Sequence, residues 1–281
     1  MTGADVSAQK QMSNAFARLN ESSVKMATLK RINRASDDPA GLIAVEQLNK
    51  ELRAAEEASA STERTRSVVH VADSGMSHAT ELLNDIRGNL VAAASDGTSA
   101  AEKDALQLEI DAAIDALDRI GHTTSFGGKE LLNGQPLEFL AGTHPSQTAT
   151  LELPEVNSGA LGSEEGGLYQ LRSGGSASLD GDLAAAVAIV DGAHSTLVTG
   201  RAEAGAFERY VVDSTQAVLD DATVNLSQSL SQVLDTDLAF ESANFVQSKI
   251  LADTAVMAAR FTNSTRQTAA GLLNDVLDVF G

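Results

Sequence analysis

Chemistry requires side chains that can hold a proton, bind a metal or attack. The chain has five histidines, His70, His78, His122, His144 and His194, and no cysteine. Without cysteine there is no disulfide framework, thiolate metal site or thiol nucleophile. The histidines lack zinc-type spacing. His78 with Glu81, and His70 with Asp73, fall three apart and share a helix face, but two ligands on a solvated helix do not close a metal site. Asp37-Asp38 offers a carboxylate pair of the kind used in general acid–base work. It stands directly before Pro39, however, where an aspartate caps a helix. Gly127–Glu130, GGKE, has the wrong spacing for a phosphate loop and reads as a turn. These groups do not converge, so neither enzymatic activity nor a bound cofactor or metal is expected.

The elements that carry these residues are more informative than the residues themselves. Of 281 residues, 43% are hydrophobic but only 4% aromatic, with no Trp and two Tyr. Such a core is built from Ala, Leu, Val and Ile, as in long helix bundles and coiled coils. The net charge of −19 opposes binding to phosphate backbones, so nucleic acid is excluded as a partner. The charge is uneven: residues 1–34 carry six bases against two acids, or +4, leaving −23 on the remainder. No run of 18 apolar residues occurs, so membrane insertion is not expected. The opening MTGADVSAQKQM has neither an apolar segment nor a small-residue cleavage pattern, which argues against general secretory export.

The four prolines, Pro39, Pro136, Pro145 and Pro154, leave 40–135 and 155–281 free for long helices. From Val45, apolar or small residues recur in steps of three and four through Leu48, Leu52, Ala55, Ser59, Thr62, Arg66, Val69, Ala72, Met76, Ala79, Leu83, Ile86, Leu90 and Ala93. Asp38 and Pro39 start this helix, and Ser95-Asp96-Gly97-Thr98 ends it. A second helix carries Leu106, Ile110, Ala113, Leu117 and Ile120 and is expected to stop at Gly121. A third seam runs through Ala193, Leu197, Gly200, Ala204, Phe207, Val211, Ser214 and Val218, with a shifted one from Leu219 onward. Terminal stripes at Met12, Phe16, Leu19 and Met26, and at Ile250, Met257 and Phe261, predict that the two chain ends pair. Between the helical halves, 136–142 and 147–154 read as a β-hairpin with a loop of about four residues. The Gly/Ser-rich 157–182 reads as an irregular loop.

Four segments, in order and spanning nearly the whole chain, resemble bacterial flagellins. KRINRASDDPAGLIA (30–44) is similar to the N-terminal signature of that family through Arg31, Ile32, Asn33, Asp37, Asp38, Pro39, Gly41 and Leu42. HTTSFGGKELLNG (122–134) is similar to its turn through Phe126, Gly128, Lys129, Leu131, Leu132 and Gly134. Residues 201–233 and 238–261 resemble its C-terminal helices.

The resemblance implies a mainly α fold: an elongated rod of long antiparallel helices with a terminal coiled coil and one small β-hairpin region. It divides the chain into paired terminal helices (1–38 with 240–281), an outer helical rod (39–135 with 183–239), and a hairpin and loop (136–182) in place of a variable domain. It implies a secreted, extracellular subunit of the flagellar filament. Its partners would be other copies of itself, hook-associated junction and cap proteins, an export chaperone and the flagellar type III export apparatus. The alternative within the same machinery is a hook–filament junction protein. On this reading Leu83, Ile86 and Leu90, together with the terminal stripes, are the helix-seam and assembly positions.

Overall fold

The computed structural model describes residues 3–280, with side chains described at 7 and 9–272. Six long helices dominate: α1 (Gly3–Thr28), α2 (Pro39–Ala93), α3 (Ala100–Thr123), α4 (Leu183–Phe207), α5 (Asp213–Leu234) and α6 (Leu238–Phe280). Three small antiparallel strand pairs lie between α3 and α4: β1 (Ser125–Phe126) with β2 (Lys129–Glu130), β3 (Leu137–Leu140) with β4 (Thr148–Leu151), and β5 (Gly162–Ser163) with β6 (Gly166–Gly167). The chain divides into two compact units, 1–52 with 225–281 and 53–224, and the division runs through α2 and α5 rather than at their ends.

The second unit holds the main core. Val69, Ala72, Met76, Ala79, Leu83, Ile86 and Leu90 of α2 pack with Ile110, Ile114 and Leu117 of α3 and with Ala186, Ile189, Val190, Ala193 and Leu197 of α4. Each large aliphatic side chain buried here contributes about 1.5–3 kcal/mol. The expected α2 seam is correct from Val69 to Ala93 and out of phase just before it. Ala58 and Thr65 are the buried positions, not Ser59 and Arg66. The buried threonines are satisfied within the helix, Thr62 donating to Ala58 O (3.0 Å) and Thr65 to Ser61 O (3.0 Å). Ser59 and Arg66 sit on the flank, where they bond Gln216 (2.7 Å) and Asp213 (2.8 Å).

On α3 the seam runs through Ile110, Ile114, Leu117 and Gly121, so Ile114 replaces the expected Ala113. The helix continues through Gly121 to Thr123. Glycine is there for proximity rather than termination: a Cβ at 121 would stand 1.8 Å from the carbonyl oxygen of Val156. A capping box at the start of α3 joins Ser99 and Glu102, and the backbone N–H of Ser99 holds the Glu102 carboxyl below its ordinary range.

The third seam slips for a visible reason. After Phe207 the helix widens into one π turn, Glu208–Val212, before resuming as α5. The inserted residue moves burial from the expected Val211 to Val212 and leaves Ser214 and Val218 exposed, while Leu219, the start of the expected shifted seam, is buried. Ser214 moves outward and its hydroxyl serves the widened turn, donating to Tyr210 O (2.6 Å) and Val211 O (3.3 Å). By length and composition the stretch Leu183–Leu234 could cross a membrane, with a mean hydropathy of 1.3 in its most apolar window. Within it Ile189, Val190 and Leu197 are buried in the core, whereas Val198, Val218 and Val224 are exposed.

The expected hairpin forms, with Leu137 opposite Leu151 and Leu140 opposite Thr148, and its loop covers 141–147. Residues 157–182 are better built than a Gly/Ser-rich composition suggests. They form β5–β6 and a 3₁₀ turn, Leu168–Leu171, and bury Leu161, Leu168, Leu171 and Ala177. A polar row on α3 pins the segment. Asp118 accepts from the Ser158 backbone (2.6 Å), the Ser158 hydroxyl (2.9 Å) and Arg172 (2.9 Å). Asp115 pairs with Arg172 (2.5 Å), Asp111 accepts from the Ser173 backbone (3.0 Å), and Gln107 donates to Leu171 O (2.7 Å).

Replacing Gly121 with Ala should force α3 and Val156 apart and lower unfolding stability by about 1–3 kcal/mol, measured by denaturant titration. Asp118→Ala should cost about 1.5–3 kcal/mol through its lost charged hydrogen bonds, with faster amide exchange concentrated in 158–179.

Candidate functional site

Among the described residues the histidines and carboxylates singled out by type do not converge on one site, and no group of three or more His, Asp or Glu side chains could hold a metal. His78 meets Glu81 (3.4 Å) as an exposed pair, and an exposed His70 meets the half-buried Glu208 (3.2 Å). The residues singled out by type and spacing instead build three structural features.

The first is the connector between α1 and α2. Asp38 caps α2, its Oδ1 accepting from Gly41 N–H at 2.8 Å, and Arg31 lies 3.6 Å from its other carboxylate oxygen. Asp37 folds the connector onto itself: Oδ2 accepts from the backbone N–H groups of Asn33 (2.9 Å) and Arg34 (2.8 Å). Those two donors, Asn33 first, hold the Asp37 carboxyl below its ordinary range. Ile32 is buried beneath, and a Cβ at Gly41 would fall 2.6 Å from its Cδ1. Leu42 is half-buried on the first turn of α2. The connector is tied across the chain to 233–236: Arg31 N–H donates to Leu234 O (2.7 Å), Thr236 N–H to Leu29 O (3.1 Å), and the Arg31 guanidinium to Val233 O (2.8 Å). Sequence reasoning missed this clasp, because nothing local marks residue 31 as facing residue 234.

The second feature, in the other unit, is the turn after α3. Gly127 (φ 59°) and Gly128 (φ 84°) are both left-handed, the backbone that a two-residue hairpin between Phe126 and Lys129 requires. Phe126 and Lys129 are exposed, whereas Leu131 and Leu132 drop into the core. Gly134 (φ 72°) then turns the chain toward the hairpin.

The third is the terminal helix pair. α1 packs against α6. Its seam follows Met12, Ala15, Leu19, Ser22 and Met26, of which Ala15 and Ser22 are buried and the larger three half-buried. Phe16 lies off it, 48% exposed. On α6 the buried residues are Glu241, Ser248 and Ala252, and Ser22 donates to Glu241 O at 3.3 Å. Ile250 (60% exposed), Met257 (69%) and Phe261 (75%) do not face α1. With Val246 they occupy the side of α6 about half a turn from Ser248 and Ala252. The expected stripe therefore exists, but pairing of the two ends leaves it outside. Leu83, Ile86 and Leu90, by contrast, are fully buried in the second unit.

The comparisons with known proteins fall on these same segments. Residues 2–136 match the family model of the bacterial flagellin N-terminal helical region, and residues 187–273 match that of the C-terminal helical region. The chain is a member of the bacterial flagellin family. Flagellin E of Vibrio cholerae is 36% identical over 156 residues, covering 55% of this chain and 41% of its own length. This chain thus spans about two-fifths of that relative. The flagellin of Bacillus subtilis is 27% identical over 276 residues, covering 89% of this chain and 90% of its own. The crystal structure of Bacillus cereus flagellin aligns over 65% of this chain and 92% of its own, at 18% identity and a TM-score of 0.34. The two family matches meet the connector and turn signatures at one end of the flagellin chain and α4–α6 at the other. They do not favour the junction-protein alternative.

A carboxyl whose pKa falls on folding stabilises the folded state above its ordinary range, and that stabilisation is lost as pH drops. In this flagellin the Asn33 and Arg34 amides should therefore be protected at neutral pH and exchange faster, relative to their intrinsic rates, as pH falls below about 4. Asp37→Asn should remove that pH dependence.

Proposed function

We propose that the chain is a structural subunit that polymerises into the bacterial flagellar filament for swimming motility. The observation that carries this reading is the outward apolar stripe of α6, Val246, Ile250, Met257 and Phe261, which one copy leaves in water. A contiguous exposed apolar face marks an interaction surface. Beside it, Ala15, Leu251, Thr254, Ala255 and Ala258, with Gln11, Asn14 and Arg18, line a groove of about 380 Å³ between α1 and α6. In this reading the stripe of one copy seats in the groove of the next, a head-to-tail contact that builds an open helical polymer because its rotation does not close.

In this reading the paired ends, 1–38 with 240–281, form the inner filament core, and 39–135 with 183–239 form the outer helices. The hairpin and loop at 136–182 stand where larger flagellins carry variable domains. The protein acts outside the cell as part of the flagellum, exported through the flagellar type III apparatus with the help of a chaperone. Junction and cap proteins bound the polymer at its two ends. Its role is structural, and no reaction is assigned to it.

Electron microscopy of the full chain after addition of ammonium sulfate, which strengthens apolar burial, tests the reading. The wild type should give long uniform tubes. Met257→Asp with Phe261→Asp should leave the circular dichroism of the subunit unchanged and raise the concentration needed for tubes at least roughly tenfold, given the apolar burial each residue would forfeit. Only amorphous wild-type precipitate, or tubes formed equally by the double variant, would overturn it.

A further inference from the structure

Among the described residues Leu29 is the one non-glycine with a left-handed backbone, at φ 59°. It follows Thr28, the last residue of α1, and its carbonyl accepts from Thr236 N–H. Its neighbours are held as firmly. Lys30 pairs antiparallel with Asp235, Lys30 N–H donates to Thr28 Oγ1 (3.3 Å), and Asn33 Nδ2 donates to Lys30 O (2.8 Å). The end of α1, the start of α2, the end of α5 and the start of α6 thus meet at one short clasp, 29–31 against 233–236. Asp237 caps α6 directly beyond it, accepting from Ala239 N–H (2.8 Å) and Phe240 N–H (3.1 Å).

Leucine is poorly suited to this position. A Cβ in the left-handed region meets the following carbonyl, at a cost that shifts an equilibrium roughly 5- to 30-fold, whereas glycine is free of it. The Leu29 side chain is 54% exposed, so burial does not offset the strain. Leucine is also a strong helix former, and with the clasp undone residue 29 would favour continuing α1. Local preference and tertiary contact oppose each other here, as at sites that must move.

We infer that Leu29 is a strained latch. The backbone bonds to 233–236 hold it bent; when they open, it relaxes into the right-handed helix and α1 lengthens at the clasp's expense. The strain lowers the cost of releasing α1 and α6 from the clasp, so the terminal pair can detach and dock again without unfolding the second unit. This goes beyond the filament reading and does not depend on it.

The test is residue-resolved amide exchange on the full-length, unpolymerised chain. Leu29→Gly removes the Cβ and should slow exchange at Arg31 and Thr236, the two amides that donate across the clasp, by roughly 5- to 30-fold. Leu29→Ala keeps the Cβ and the helix preference, and should leave both within about twofold of wild type. Exchange at Leu83 and Ile86 should be the same in all three proteins. Unchanged or faster exchange at Arg31 and Thr236 in Leu29→Gly overturns the latch. So does an equal slowing in Leu29→Ala, which would assign the effect to the lost leucine side chain. A matching slowing at Leu83 and Ile86 would also overturn it, because the effect would then be global.

Discussion

Burial of one face of α2 is the interaction on which the second unit depends. From Val69 to Leu90 that face presents Val, Ala, Met, Ala, Leu, Ile and Leu at heptad spacing, every one of them buried. Small and aliphatic side chains allow close helix approach, and with two Tyr and no Trp the chain has few bulky rings to fill a wider gap. The α3 and α4 seams answer this face. At Gly200 of α4, a Cβ would fall 2.5 Å from the ring of Pro154, so even the hairpin segment reaches in against the helices. Where α2 passes out of its strongest apolar run, buried Thr62 and Thr65 bond their own helix, so the stripe continues without unpaired hydroxyls.

The polar interactions keep irregular chain close to that core. The row Gln107, Asp111, Asp115 and Asp118 recurs at helical spacing on α3 and takes up the backbone and side chains of 158–173. This is how a Gly/Ser-rich segment becomes ordered structure. Glycine supplies the tight turns, while carboxylates supply acceptors for backbone N–H groups that no strand or helix would otherwise pair. Arg172, held by two of these carboxylates, is more firmly protonated than a free arginine, with the Asp115 hydrogen bond the largest cause. Elsewhere Arg201 with Asp73 (2.8 Å) and Arg87 with Asp191 (3.3 Å) bridge α2 and α4 as exposed pairs. Such pairs contribute little stability but fix orientation.

The terminal pair follows a different logic. Its seam is made of Ala, Ser and half-buried Met and Leu, so each contact removes little apolar area from water, and a buried methyl contributes only about 0.8 kcal/mol. Phe245 is half-buried on the seam side of α6, but Phe16, Phe240, Met257 and Phe261 remain exposed. A helix pair that is weak inside and apolar outside is completed by association, and the bent, strained connector at Leu29 fits a unit whose stability is spared for that later step. The family match and the exposed stripe support the same conclusion by independent routes: one compares residues, the other follows from which face of α6 remains wet.

Much of this was legible in residue order alone. Helix positions, the Asp38–Pro39 start of α2, the paired glycines of the turn and the hairpin rest on local rules of period, capping and turn chemistry, which act within a few residues, while the signature segments were legible only through their resemblance to a family. Tertiary structure decided what those rules leave open. Ser59 and Arg66 yielded to Ala58 and Thr65, and Ala113 to Ile114, because adjacent phases of a 3.6-residue period are nearly equivalent until a partner helix selects one. The change of phase at Leu219 is legible in the sequence, but the π turn at 208–212 that causes it is not, because no local residue preference marks such an insertion. The bond from Arg31 to Leu234, and the outward turn of Ile250, Met257 and Phe261, join or separate positions about two hundred residues apart or on opposite helix faces. Such choices are settled by packing, because the free energy of a contact depends on what lies across it and not on its neighbours in the chain.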